Sequence, residues 1–78
     1  MNPPRIGRIV IYRQSGNERP VNGTTDHPAV ITRVWSESMV NLHVMYDAAP
    51  PTPVTSVPQL GSGLAQPGER CWFWPERT

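Results

Sequence analysis

The chain contains no lysine, and all seven of its basic residues are arginines, set against six acidic residues. It contains one cysteine and two histidines, and its apolar runs are too short for the roughly 20 residues that cross a bilayer. A single cysteine, Cys71, excludes an intrachain disulfide bond. One cysteine and two histidines at unrelated spacings make a poor zinc site. We therefore expect neither a metal nor a cofactor.

With 78 residues, the chain has the length of one small domain. A chain of this size buries only about 60% of the surface that its unfolded form exposes. Small domains usually gain further stability from disulfides, metals or subunit contacts, and here only the last remains. We therefore expect a homo-oligomer. The N-terminal residues show no basic segment followed by an apolar run, which favours a soluble protein in a reducing cytoplasm.

The formal net charge is only +1, which argues against a general nucleic-acid-binding protein because such proteins usually carry a clear basic excess. The exclusive use of arginine permits two interpretations. Arginine presents a planar, forked donor that pairs with phosphates or carboxylates and stacks on aromatic rings. A codon bias in a GC-rich host would produce the same composition.

Short tracts of β-forming residues are separated by Gly- and Pro-rich connections, and no helical periodicity is visible. The clearest alternation runs through Val40, Leu42, Val44 and Tyr46, which we expect to point inward. Together with the preceding tract, in which Val30, Thr32 and Val34 share one face, it predicts an antiparallel hairpin over residues 29–46. The five predicted strands cover residues 5–13, 29–35, 39–46, 54–57 and 70–74.

Five short strands without a helix predict an all-β fold, a small and strongly bent five-stranded antiparallel barrel. We expect a short arm at residues 1–4 and one barrel domain at residues 5–78. The layout resembles a Src-homology-three-like barrel, and the long loop at residues 14–28 lies where that fold carries its variable binding loop. The acidic, tyrosine-rich loop of the peptide-binding Src-homology domains is absent, so the resemblance does not imply their proline-rich ligands.

Several segments also resemble a group of short phage and prophage proteins. Those proteins share an alanine-led strand that ends in tryptophan, a Val-Asn-Leu strand and a Trp-x-Trp-Pro sequence near the C-terminus. The corresponding segments are HPAVITRVW at residues 27–35, VNL at 40–42, VTSV at 54–57 and WFWP at 72–75. The resemblance implies a viral origin, and with it the cytoplasm of an infected bacterial host as the location.

Aromatic and arginine side chains form the candidate ligand-binding set. Aromatic faces stack on bases, and arginine pairs with phosphates, so the combination suits a nucleotide-like ligand. The competing interpretation is that most of these aromatic residues fill the core. The predicted ligand-binding residues are Tyr12, Arg13, His27, Arg33, Trp35, Trp72, Trp74 and Arg77.

Trp72 and Trp74 lie two residues apart, so on a strand they share one face while Cys71 and Phe73 share the other. The hairpin already supplies most of the core, and Cys71 and Phe73 suffice to seal it. We therefore expect both tryptophans to face a second surface. That surface is either a subunit contact or the wall of a ligand pocket.

No nucleophile–base pair or acid/base pair stands out, so we do not expect an enzyme. The function that we predict is that of a phage-encoded, non-enzymatic, oligomeric binding protein. Its ligand would be a small nucleotide-like molecule, and sequestering a host immune signal (an anti-defence role) is one task for such a protein. The alternative is a virion accessory protein or a protein–protein interaction module without a small-molecule ligand. We expect no membrane partner and no nucleic acid.

Overall fold

The computed structural model describes residues 3–76, and they form one curled antiparallel sheet without a helix. The strands are β1 (Ile9–Arg13), β2 (Asp26–Val34), β3 (Met39–Val44), β4 (Thr52–Pro58) and β5 (Cys71–Phe73). Their spatial order in the sheet is β4-β3-β2-β1-β5. The sheet curls into a half-barrel, in which the backbone N–H of Leu60, just after β4, donates a 2.8 Å hydrogen bond to the carbonyl of Trp72 in β5. The prediction of an all-β fold with five antiparallel strands is confirmed.

Within residues 3–76, no helix is long and apolar enough to cross a membrane.

The predicted hairpin is confirmed: β2 and β3 pair antiparallel, with Ala29 opposite Val44 and Ile31 opposite Leu42. The ends of the strands differ from the prediction. β2 begins at Asp26, three residues earlier than expected, because its first residues pair with β1. β1 begins only at Ile9, because a turn closed by the hydrogen bond from Arg8 N to the Arg5 carbonyl (3.2 Å) occupies the preceding residues. Gly7 has a φ of 92° in this turn, a conformation that glycine adopts without a steric penalty.

A β-bulge in β2 changes which side chains face the core. The pairing with β3 shifts register between Ile31 and Arg33. Ile31 is buried, but after the bulge Val34 packs against the core and Arg33 is exposed. The predicted face shared by Val30, Thr32 and Val34 is therefore wrong beyond Ile31, because a bulge inserts a residue and reverses the alternation.

The core lies on the inner face of the curled sheet. Its buried cluster consists of Val10, Tyr12, Ala29, Ile31, Val40, Leu42, Val44, Val57 and Trp72. Val34, Tyr46, Val54 and Trp74 pack against this cluster and are partly buried. The inward orientation predicted for the alternating residues of β3 is confirmed.

Trp72 is a central core residue, and the expectation that it faces a second surface is wrong. Its side chain is 0% exposed. It lies opposite Tyr12 of β1, and its Nε1–H donates a 2.9 Å hydrogen bond to the carbonyl of Ser38. Cys71 and Phe73 project from the other face, beside Arg13 and Ile11. The large indole fills the half-barrel because the inner face of the short strand β5 offers no other buried side chain.

The free edge of β4 is protected against pairing with another strand. Pro53 and Pro58 lack the N–H that a strand ladder needs. Between them, Ser56 has a φ of 56°, which interrupts the extended backbone. The guanidinium Nη2 of Arg70 donates a 2.8 Å hydrogen bond to the carbonyl of Thr55. Prolines, an irregular backbone and a covering charge are devices that prevent edge-to-edge association.

Candidate functional site

The structure divides the eight predicted ligand-binding residues among several places. Arg33 and Trp35 lie together on the surface, and Arg13 is exposed at the end of β1. Trp74 is half-buried. Arg77 lies outside the described residues. The three that are buried in the interior are Tyr12, His27 and Trp72.

His27 belongs to a buried polar network that anchors the loop after β1. Its side chain is only 2% exposed, and its Nε2 lies 2.9 Å from Oε1 of Gln14. The ring of Tyr46 contacts it edge-on, with the centroids 4.6 Å apart. The amide nitrogen of Gln14 donates to Glu18 Oε2 at 3.3 Å and to the carbonyl of Arg19 at 3.2 Å. This network joins the loop to the half-barrel, which gives His27 a structural role.

Tyr12 joins the same network from the core. Its hydroxyl lies 3.5 Å from Oε1 of Glu18, at the limit of a hydrogen bond. Burial and, to a lesser extent, the negative charge of Glu18 raise the pKa of Tyr12 to about 12. Both effects penalise the phenolate, because removing a charge from water and placing it near a like charge are unfavourable. Tyr12 is therefore a neutral core residue at physiological pH.

Arg13 is engaged by two neighbours. Its Nε and Nη2 donate to the two carboxylate oxygens of Asp26 at 2.8 and 2.9 Å, a bidentate ion pair. Its guanidinium carbon also lies 4.8 Å from the centroid of the Phe73 ring. Hydrogen bonding from Arg13 lowers the pKa of Asp26 below its ordinary value. The charge of Arg13 is thus matched inside the chain.

Arg33, Trp35 and Asn41 form a preorganised surface that we call the Trp35 platform. Trp35 is 53% exposed. The guanidinium carbon of Arg33 lies 4.1 Å from the centroid of its ring. The indole Nε1–H donates a 2.8 Å hydrogen bond to Oδ1 of Asn41. The same oxygen accepts a 2.8 Å hydrogen bond from the backbone N–H of Ser56, so Asn41 ties the platform to β4.

The bulge in β2 creates this platform. The bulge lies directly before Arg33, which pairs with Asn41 on β3. The strand then ends in a turn closed by the 2.8 Å hydrogen bond from the backbone N–H of Trp35 to the carbonyl of Met39. A large aromatic ring held at a strand end can stack on a planar ligand, and the arginine beside the ring can contact the anionic groups of that ligand.

Trp74 occupies an intermediate position between the core and the surface. Its ring meets that of Trp72 at 85°, with the centroids 5.6 Å apart, and the guanidinium carbon of Arg8 lies 5.8 Å from its centroid. Its buried Nε1–H has no hydrogen-bond partner among residues 3–76. None of these contacts involves the Trp35 platform. Because Trp72 is buried and Trp74 is half-buried, the two do not form the common ligand wall that was one of the two roles predicted from the sequence.

A cleft of about 550 Å³ lies between two loops, and no pattern in the sequence predicts it. One loop follows β1 and the other connects β4 to β5. The backbone N–H of Gly16 donates a 2.7 Å hydrogen bond to the carbonyl of Gly68, which holds the loops together. Cys71 lines the cleft but is buried, and burial raises the pKa of its thiol. The residues that meet here are about fifty positions apart, so local sequence patterns could not have found the cleft.

The part of the chain that the structure describes contains no group of three or more His, Cys, Asp and Glu side chains that could hold a metal ion.

No protein-family model, no curated protein and no solved structure matches this chain.

Proposed function

We propose that this chain is a phage-encoded, non-enzymatic binding protein that acts as a homo-oligomer and holds a small nucleotide-like ligand on the Trp35 platform. We further propose that its half-barrel is a variant of the Src-homology-three-like architecture. The observation that carries the proposal is the exposure of Trp35 while its ring is held by Arg33 and Asn41. Sequestration of a host immune signalling nucleotide is the role that we assign to such a protein.

The indole of Trp35 supplies the binding energy in this proposal. Stacking of a base on an aromatic side chain contributes about 1–3 kcal/mol per base. The hydrogen bond to Asn41 and the stacked guanidinium hold the ring before the ligand arrives. Binding to a preorganised ring loses less side-chain entropy than binding to a mobile one.

Arg33 supplies the contact with phosphate. Its guanidinium carbon lies 4.1 Å from the centroid of the Trp35 ring, and its N–H groups form a planar fork of donors that matches the geometry of phosphate. Within residues 3–76, these groups form no side-chain hydrogen bond or ion pair, in contrast with those of Arg13. Hydrogen bonds between arginine and phosphate are stronger than neutral ones because both partners are charged.

The outer face of the sheet supports the oligomer. Ile9 is 48% exposed and Met45 is 38% exposed. On the same face, Ile9 lies opposite Val30, and Ile11 lies opposite Phe73. Exposed apolar side chains grouped on one face of a sheet are typical of protein–protein contacts. A second copy covering it would add the buried area that a chain of this size lacks.

The test is a binding experiment with defined nucleotides and three variants. We expect a cyclic dinucleotide or an ADP-ribose derivative to raise the melting temperature of the purified protein and to quench the fluorescence of the exposed Trp35. Trp35→Ala should weaken that binding about tenfold or more, the equivalent of 1.4 kcal/mol. Arg33→Gln should weaken it through the loss of the phosphate contact. Leu64→Ala is the control, because Leu64 is similarly exposed but belongs to neither the platform nor the core.

The proposal fails if none of these nucleotides stabilises the protein, or if Trp35→Ala binds as tightly as the unchanged chain. In that case the apolar outer face favours the second candidate, a virion accessory or protein-interaction module without a small-molecule ligand. Mass spectrometry of purified virions would then detect the protein as a component.

A further inference from the structure

We infer that the cleft between the β1–β2 loop and the β4–β5 loop is a second binding site, which receives a basic peptide segment of a partner protein. The inference goes beyond the proposed nucleotide binding and does not depend on it. None of the residues of the Trp35 platform lines this cleft.

The walls of the cleft are apolar where a side-chain stem would lie. Pro20 contributes from the first loop, and Leu60, Ala65 and Pro67 contribute from the second. Leu60 is 50% exposed, so part of its side chain is accessible to a ligand. The volume of about 550 Å³ lies in the range of roughly 300–1,000 Å³ that is typical of ligand sites. The cleft can therefore accommodate an aliphatic chain.

The charges around the cleft are predominantly negative, although the whole chain has a net charge of +1. Glu18 and Glu69 line it from opposite loops. Residues 3–76 form one ion pair, between Arg13 and Asp26. Neither Glu18 nor Glu69 therefore has a cationic nitrogen of these residues within 4.0 Å. The positive charge of Arg13 is thus already matched. The cleft therefore offers two uncompensated carboxylates to an incoming cation.

The carboxylate of Glu18 is held in place before any ligand arrives. Oε1 accepts a 3.2 Å hydrogen bond from the hydroxyl of Ser15, and Oε2 accepts one of 3.3 Å from Gln14. On the other loop, Oε1 of Glu69 accepts a 3.2 Å hydrogen bond from the backbone N–H of Gln66. The 2.7 Å hydrogen bond between Gly16 and Gly68 joins the two loops. Arginine, with its apolar stem and forked donor, is the side chain that matches two carboxylates above apolar walls.

A peptide segment fits better than a free small molecule, because the cleft is only partly enclosed. Small-molecule sites usually bury 70–90% of their ligand, whereas an open groove can receive one side chain from a larger surface. Addition of the peptide as an extra strand is disfavoured, because Pro53, Pro58 and Arg70 protect the edge of β4. The partner should therefore insert an arginine or lysine side chain into the cleft.

The test uses the full chain and three synthetic probes: the capped peptide Ala-Leu-Arg-Leu-Ala, the same peptide with glutamine in place of arginine, and free arginine amide. Backbone amide chemical shifts are followed by nuclear magnetic resonance during each titration. We expect saturable changes at Gly16, Gly68 and their neighbours with the arginine peptide. The glutamine peptide should bind about fivefold more weakly, as should the Glu18→Gln and Glu69→Gln variants. Higher salt should weaken the binding, because it screens exposed charges.

Glu37→Gln is the matched control, because it removes the same charge from a residue outside the cleft. It should leave the peptide affinity unchanged. Glutamine at position 18 can accept the hydrogen bond from Gln14 with its one oxygen and donate from its NH2 group to the hydroxyl of Ser15. The variant should therefore keep the loop folded, and an unchanged amide spectrum in the absence of peptide will verify this. Equal affinity for the arginine and glutamine peptides would overturn the inference. The same holds for an absence of saturable changes at the cleft, or for arginine amide binding as tightly as the peptide.

Discussion

Replacement of Trp72 by phenylalanine tests the position of this residue at the centre of the core. The substitution removes the hydrogen bond from Nε1 to the carbonyl of Ser38, which then keeps only the 2.8 Å bond from the backbone N–H of Gln59. It also removes half of an indole that is 0% exposed and reduces the edge-to-face contact with Trp74. Losing the hydrogen bond costs about 1 kcal/mol, and the cavity and lost contacts add about 1–2 kcal/mol. We expect a total loss of about 2–3 kcal/mol in the free energy of unfolding.

A loss of that size is a large fraction of the roughly 4–12 kcal/mol that stabilises a domain of this length. Urea unfolding, followed by far-ultraviolet circular dichroism, should show a midpoint lowered by about 2–3 M, because the smallest proteins have m-values near 1 kcal/mol/M. The matched control is Trp35→Phe, the same substitution at a ring that is 53% exposed. It also removes a hydrogen bond, to Asn41, but water can replace that bond at the surface, so the loss should be about 1 kcal/mol or less. Equal losses for the two variants would refute the assignment of Trp72 to the core and of Trp35 to the surface.

Two further predictions concern pH. The pKa of Asp26 is lowered by Arg13, so the stability that this carboxylate contributes is present above its ordinary pKa of 3.8 and is lost as the pH falls through its folded-state value. Asp26→Asn should therefore lower the melting temperature slightly at pH 7 but not near pH 2, and an equal effect at both pH values would contradict this reasoning. The pKa of Tyr12 is raised from 10.0 to about 12, so the folded state holds its proton more tightly and stability should fall as the pH rises from 10 to 12. Tyr12→Phe should reduce that alkaline loss, and identical alkaline unfolding curves for the two proteins would contradict the assignment.

The strands were predictable because alternation is a local property. In β3, Val40, Leu42 and Val44 alternate with polar or more exposed residues, and the structure buries all three. Alternation of this kind indicates a strand with one buried face wherever it occurs. The extension of β2 back to Asp26 was not predictable, because its first residues are held by pairing with β1, and the partner strand is distant in the sequence.

The candidate site was predictable only in part. Arg33 and Trp35 were identified from their residue types, and the structure places them in contact. Their partner Asn41 was missed, because a bulge between Ile31 and Arg33 determines that it lies opposite Arg33. The cleft was missed entirely, because its two loops meet only after the sheet has curled and the backbone of Gly16 has bonded to that of Gly68.

The amino-acid sequence by itself determined the all-β architecture, the β2–β3 hairpin and the absence of an intrachain disulfide, since these follow from residue counts and from short-range alternation. Only the tertiary structure decided the roles of the three tryptophans. Trp72 entered the core, Trp35 stayed at the surface and Trp74 lies between them. Residue type could not distinguish these roles, because the side chain that a curled sheet encloses depends on strand order, on bulges and on the volume that the other strands leave unfilled.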